Sequence, residues 1–173
     1  MSISTQIGEA QVTAVNGNIV SVTAPDGIIV KNEVAYVCTG DDRLKSEVLR
    51  VFGREADLQV FEDTHGVRVG DHVELTHQLL NAALGPGLLG SVFDGLQNPL
   101  ETLANRDGTF LQRGRYVDSI DRQHKWSFIP KCRAGDRLRA GDVLGTVQER
   151  AIEHRIMVPF DVTGSVELTW IQG

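Results

Sequence analysis

The sequence predicts a mostly β protein: a small closed antiparallel barrel, a glycine-rich connector and a second module of short strands. Three observations lead to this fold class. Short alternating or β-branched segments separated by turn residues fill residues 8–75, at the spacing of small barrels and sandwiches. Residues 76–105 lose this pattern and gain prolines and glycines, and residues 106–173 return to short strands. We therefore predict a barrel over 1–75, a connector over 76–105 and a second β module over 106–173.

The barrel strands are separated by recognisable turns. Asn16-Gly17-Asn18 is a hairpin signal between two β-branched segments, and Pro25-Asp26-Gly27 marks the next turn. The apolar run Ile28–Val30 follows that turn. About six strands are expected in all, and the clearest segments are Gln11–Val15, Ile19–Thr23, Val34–Cys38, Glu47–Phe52 and Asp57–Phe61.

The connector contains LGPGLLGSVFDG, residues 84–95, flanked by His77–Leu84 and Leu96–Asn105, each either a short helix or an irregular segment. Its glycines fit the dinucleotide fingerprint G-x-G-x-x-G and the opening of a phosphate-binding loop. A phosphate-binding loop needs lysine and then serine or threonine after its second glycine, whereas Ser91-Val92 follow here. The fingerprint needs a preceding parallel strand and a following helix, which HQLLNAAL and Gly95 contradict. We therefore interpret these glycines as permitting positive φ and close backbone packing.

The second module has repeated turns. Arg-Ala-Gly-Asp occurs at 133–136 and again at 139–142, separating the short strands Arg137–Leu138 and Val143–Val147. With the following IMVPFDVTGSVEL, this pattern resembles the biotinyl/lipoyl barrel-sandwich. Carriers of that fold bear their prosthetic group on a lysine at the tip of a central hairpin. The corresponding tip, residues 149–154, contains no lysine, so the pattern excludes a biotin or lipoate carrier.

Composition is that of a soluble globular protein. The chain has 173 residues, 41% of them hydrophobic, and a net charge of −6, which disfavours nonspecific binding to nucleic acid. The charge is −8 over residues 1–105 and +2 over residues 106–173. The N-terminal segment has neither the basic start nor the apolar core of a signal peptide, and no apolar run is long enough to cross a bilayer.

No constellation of reactive side chains has the spacing of a catalytic or metal site. The two cysteines, Cys38 and Cys132, are far apart and without C-x-x-C spacing. Asp41-Asp42 and Glu62-Asp63 are interpreted as solvated caps of turns rather than an acid/base pair. We expect no catalytic, cofactor-binding or metal-binding residue in these 173 residues. The five histidines, which lack metal-ligand spacing, are His65, His72, His77, His124 and His154.

Three stretches together resemble one family, the catalytic A subunit (alpha chain) of V/A-type rotary ATPases. They are residues 84–101 (LGPGLLGSVFDGLQNPLE), 113–130 (RGRYVDSIDRQHKWSFIP) and 134–159 (AGDRLRAGDVLGTVQERAIEHRIMVP). Residues 60–67 also resemble a strand near the start of that subunit. The resemblance covers nearly the whole chain but only the N-terminal part of the subunit. It departs mildly at Ala83, where an acidic residue often stands, and at Asn98, where a basic one does.

The resemblance implies a crown barrel, a passage toward a nucleotide-binding domain, and a truncated bulge insert of barrel-sandwich type. The parent would use ATP and Mg, and it would couple ATP hydrolysis or synthesis to proton or sodium transport. Its catalytic motifs would lie beyond residue 173. Implied partners are B subunits of the ring and peripheral-stalk subunits. The implied location is the cytoplasm, peripheral to a membrane that the chain does not enter. We also expect an unpaired edge in the second module, giving local disorder or a strand-swapped homodimer.

Two other interpretations stay open at this stage. One is a free-standing β-rich binding or scaffold module without catalytic activity. The other is an enzyme that acts through aspartate and histidine groups in no recognised motif, which a cleft with clustered, perturbed side chains would support.

Overall fold

The computed structural model describes residues 8–25, 27–108, 110 and 112–172, and it divides the chain into two compact units. The barrel unit comprises Met1–Ala82 and Leu100–Val117, and the second unit comprises Ala83–Pro99 and Asp118–Gly173. Asp26 of the predicted turn and the N-terminal segment 1–7 lie outside the described residues. No helix of the described part is long and apolar enough to span a membrane.

Six antiparallel strands close the barrel in the order β1-β2-β5-β4-β3-β6. The Asn16-Gly17-Asn18 hairpin is confirmed, since Asn16 pairs with Ile19 across the β1–β2 turn. The strands are β1 (Gly8–Asn16), β2 (Ile19–Thr23), β3 (Glu33–Thr39), β4 (Asp42–Phe52), β5 (Glu55–Val60) and β6 (His72–Leu79).

The barrel interior follows from the two-residue period of its strands. Alternate residues of β2 and β6 are buried, so their apolar side chains meet inside while polar neighbours face outward. Fifteen buried apolar side chains form one cluster there, most of them Val, Leu or Ala. This core is therefore built from valine, leucine and alanine side chains, with Ile29 added.

The sixth strand, β6, lies outside the five segments named from sequence. The apolar run Ile28–Val30 is irregular, and the Ile28 side chain is exposed. His77–Leu79, placed within a helix or connector from sequence, instead ends β6. β6 pairs with β1 on one side and β3 on the other, so it is the strand that closes the barrel.

The one helix of the described residues is α1 (Leu100–Asp107), which begins directly after Pro99. Of the two alternatives for Leu96–Asn105, the structure therefore has a helix in its second half. Glu101 lies in the first turn and Arg106 in the last, the charge order that suits the helix dipole. Leu103 is its buried residue.

The second unit holds two small sheets, one ordered β10-β9-β7 and one ordered β11-β8. The repeated Arg-Ala-Gly-Asp turns are confirmed: Asp136 accepts a hydrogen bond from the backbone N–H of Arg133, and Asp142 from that of Arg139, each at 2.7 Å. The strands are β7 (Phe128–Pro130), β8 (Arg137–Leu138), β9 (Val143–Glu149), β10 (Ile152–Met157) and β11 (Val166–Glu167).

Candidate functional site

The glycine loop, residues 84–95, has the backbone that the sequence predicts. Gly87 and Gly90 have φ of 104° and 80°, in the left-handed region that side chains disfavour. A Cβ on Gly85 would stand 3.0 Å from the Ile120 side chain. Positive φ and close packing are therefore confirmed as the reasons for glycine here.

The backbone donors of this loop bind a carboxylate from the chain itself. The N–H groups of Gly87 and Leu89 both donate to Oε1 of Glu149, at 2.6 and 3.1 Å. Glu149 ends β9, and its side chain is only 2% exposed. The other carboxylate oxygen lies 2.7 Å from Nδ1 of His154 on β10. An internal anion thus occupies the donors that a phosphate would need.

Burial raises the pKa of Glu149, but the hydrogen bonds from Gly87, Leu89 and His154 outweigh it and leave that pKa below its ordinary value. The carboxylate is therefore ionised at neutral pH. An ionised carboxylate has only acceptors, so Nδ1 of His154 must carry the proton in this contact.

Two further side chains close the loop. The side-chain amide of Gln97 pairs with the backbone of Ala83 in both directions: its nitrogen donates to the Ala83 carbonyl at 2.7 Å, and its oxygen accepts the Ala83 N–H at 2.8 Å. Asp94 accepts the N–H groups of Leu96 and Asn98 at 2.9 and 2.8 Å. The loop is held mainly by polar side chains on backbone groups.

The β9–β10 hairpin tip lies where the sequence places it, with Glu149 paired to Ile152. Arg150 at the turn has φ of 53°, and its guanidinium lies against Gly90 of the glycine loop. The hairpin tip therefore places the Arg150 guanidinium and the buried Glu149 carboxylate against the loop. It has no lysine that could bear a prosthetic group.

The interpretation of Asp42 and Glu62 as solvated caps is wrong. Both carboxylates bind a strap, residues 113–116, within the barrel unit. Arg113 donates to Asp42 through Nε and Nη2 at 3.0 and 2.6 Å. Glu62 accepts from the Tyr116 hydroxyl at 2.5 Å and from the Gly114 N–H at 3.1 Å. These partners lie more than 50 residues away along the chain, beyond the reach of a local pattern.

The Tyr116 hydroxyl accepts the backbone N–H of Lys45 at 2.7 Å while donating to Glu62. Burial and the Glu62 contact raise the pKa of Tyr116 far above its ordinary value of 10.0. Arg43 lies over the neighbouring Tyr36 ring, 3.5 Å from its centroid, and pairs with Glu74 at 2.6 Å. The Tyr116 ring contacts the Tyr36 ring edge-on, with 6.1 Å between centroids, so polar and aromatic contacts together anchor the strap.

Tyr116→Phe should destabilise the barrel unit by about 1–3 kcal/mol, because the Lys45 N–H loses its acceptor and Glu62 loses one of its two donors. The pH dependence has a defined sign. A raised folded pKa contributes stability that is complete below the unfolded value of about 10 and is lost as pH rises above it. Urea unfolding at several values between about pH 8 and pH 11 should show wild type losing stability more steeply than Tyr116→Phe. Equal slopes would contradict this account.

The histidines do not converge. His77 lies 3.1 Å from the buried Glu33 and His154 contacts Glu149, while the His124 ring makes a tilted contact with Trp126, with 4.6 Å between centroids. Among the described residues, no group of three or more His, Cys, Asp or Glu side chains could hold a metal ion.

Sequence reasoning missed Glu149, Gln97, Arg113 and Tyr116. For Glu149 a signal existed, because Gly145, Val147 and Glu149 share one face of β9 and Val147 is buried. An acidic residue on an inward-facing position predicts a buried partner. No comparable signal marks the other three.

Two family models match this chain. Residues 12–77 match the ATP synthase alpha/beta family, beta-barrel domain, and residues 117–173 match the ATPsynthase alpha/beta subunit barrel-sandwich domain. The V-type ATP synthase alpha chain 1 of Treponema pallidum (strain Nichols) is 56% identical over 161 residues, 93% of this chain and 27% of that protein. The V-type ATP synthase alpha chain of Treponema denticola is 50% identical over 164 residues, covering 95% and 28%. That of Protochlamydia amoebophila is 49% identical over 155 residues, covering 90% and 26%. The chain thus spans about a quarter of the length of these relatives.

Proposed function

Because this chain belongs to the ATP synthase alpha/beta family and matches the N-terminal region of V-type alpha chains, we propose that it serves ring assembly and stalk contact in such an enzyme. The barrel would contact neighbouring B subunits, and the barrel-sandwich module would contact peripheral-stalk subunits. The division into a barrel at 1–75, a connector at 76–105 and an insert at 106–173 belongs to the same proposal.

The closed barrel is the observation that carries the assembly role. All six strands have a partner on each side, so the barrel offers no free strand edge. Contacts with a neighbour must then use side chains, which allow a defined ring without continued edge-to-edge pairing. A closed barrel of this kind can hold neighbouring subunits together while other parts of those subunits change shape.

Charge favours a basic surface on the neighbour. Residues 1–105 carry 14 acidic and 6 basic side chains. A complementary face would raise the association rate and the specificity more than the affinity, and salt would weaken the contact.

The whole enzyme would couple ATP hydrolysis or synthesis to transport of protons or sodium ions, at the cytoplasmic side of a membrane. ATP and Mg would bind to parts of the alpha chain other than these 173 residues. This region would act without catalytic residues of its own. A strand-swapped dimer of the 173-residue chain stays a prediction, to be checked by its mass in solution.

Cross-linking tests the proposed partners, because lysines are divided evenly between the units: Lys31 and Lys45 in the barrel unit, Lys125 and Lys131 in the second. The native protein carrying this sequence is purified from its source cells, cross-linked through lysine and analysed by mass spectrometry. We expect Lys31 and Lys45 to link to B subunits, and Lys125 and Lys131 to stalk subunits.

The two lysine pairs control for each other, because random cross-linking would give both the same partners. Purification without any ring or stalk subunit would contradict the proposal and favour a free-standing scaffold module. B-subunit links from the second unit alone would contradict the role given to the barrel.

A further inference from the structure

We propose that Glu149 is the built-in anion ligand of the glycine loop, and that its carboxylate acts as a proton-linked latch between the β9–β10 hairpin and that loop. The inference concerns the second unit alone and does not depend on the assembly role proposed above.

The first support is the geometry of the donors. Gly87 and Leu89 direct their N–H groups at one oxygen, Oε1 of Glu149, as donors of a backbone nest converge on an anion. The positive φ of Gly87 and Gly90 produces this curvature. Without the carboxylate, the loop would expose two converging donors.

The second support is burial. Glu149 is among the largest fully buried side chains of the described residues, and its second oxygen is held by Nδ1 of His154 at 2.7 Å. A buried charge is tolerated only when its partners replace water. The same hydrogen bonds therefore stabilise the buried carboxylate and order the loop.

Among the described residues, the titratable and charged groups next to the latch come from three segments. β10 contributes His154, and the hairpin turn contributes Arg150, whose guanidinium lies against Gly90. The segment before β7 contributes His124, whose ring makes a tilted contact with Trp126, and Trp126 lies next to Gly87. Within the loop, residues 87–91 are uncharged, and Asp94 is bound to the N–H groups of Leu96 and Asn98.

The direction of the switch follows. A lowered carboxyl pKa contributes stability that is present above the ordinary value and lost as pH falls through the lowered one. Protonating the His154 imidazole leaves its Nδ1–H donor in place, so this step does not open the latch. Opening requires protonation of Glu149 itself.

The experiment is an NMR titration of the 173-residue chain that follows the backbone amide signals of Gly87 and Leu89. In wild type, both signals should titrate together in acid with one midpoint below the ordinary glutamate value. Glu149→Gln keeps the side-chain shape and removes the charge, so the shared titration should vanish. Amide exchange should quicken by roughly tenfold, as expected for losing a charged acceptor.

Sodium formate added to Glu149→Ala should restore the wild-type amide positions, because formate supplies the missing carboxylate. Glu153→Ala is the matched control: its carboxylate is exposed and pairs with Lys131, so the titration should persist and formate should have no effect. Amides that do not titrate in wild type, or that titrate equally in Glu149→Gln, would overturn the proposal. If Glu149→Ala does not fold, the comparison of wild type with Glu149→Gln still decides.

Discussion

Leu75→Ala should lower the free energy of unfolding of the barrel unit by about 3 kcal/mol, within the range for leucine truncation in a packed core. Leu75 lies on β6, is 0% exposed and pairs with Gly8 on β1 and Ala35 on β3. Its truncation removes core volume at the strand that closes the barrel. Urea unfolding can be followed through Tyr36 and Tyr116, which both belong to the barrel unit.

Leu79→Ala is the control on the same strand. Leu79 is 61% exposed, so its truncation should change the stability by less than about 0.5 kcal/mol. Trp126 and Trp170 belong to the second unit and report its unfolding separately. If both leucine variants lose the same stability, β6 does not close a packed core.

Gly145→Ala should destabilise the second unit by roughly 3 kcal/mol, at the upper end of the cost of overpacking. An added Cβ would collide with the Phe128 ring and stand 2.5 Å from the backbone oxygen of Ile129. Neither neighbour can yield easily, because both belong to β7, which pairs directly with β9. Tryptophan fluorescence during urea unfolding measures the loss.

Gly95→Ala provides the matched comparison. A Cβ there meets nothing within 4 Å, and Gly95 is not among the positive-φ glycines. Its substitution should leave stability unchanged or raise it by up to about 1 kcal/mol, because alanine restricts the unfolded chain. Equal losses at the two positions would show that a general effect of alanine, rather than the Phe128 contact, is responsible.

Local patterns located most of the strands. β2 was predicted with its observed ends, because Ile19–Thr23 is β-branched throughout apart from Ser21 and follows a hairpin turn. β4 begins five residues before the predicted Glu47. Its first residues include Asp42 and Lys45, which have low strand propensity and are held in the sheet by pairing with β3.

β6 shows the limit of local reasoning. His72–Thr76 alternates as a strand should, but His77–Leu79 does not, since the last three residues are all exposed. Those residues extend the strand because Leu79 finds a partner in Glu33 on β3. His77 itself has φ of 53° and donates its N–H to Glu33 at 2.8 Å.

The sequence by itself determined the fold class and the turn chemistry, because alternation, Asn-Gly and Arg-Ala-Gly-Asp act over a few neighbouring residues. The family followed from the resemblance of residues 84–101, 113–130 and 134–159. It also predicted that the glycine loop lacks the side chains of a phosphate site. Only the tertiary structure decided which groups fill that loop and hold the strap. Glu149 reaches Gly87 across 62 residues, and Arg113 reaches Asp42 across 71. The folded geometry determines which groups pair with buried or half-buried charges. Any carboxylate brought to the same donors would satisfy those donors equally well, so the local sequence does not specify the pair.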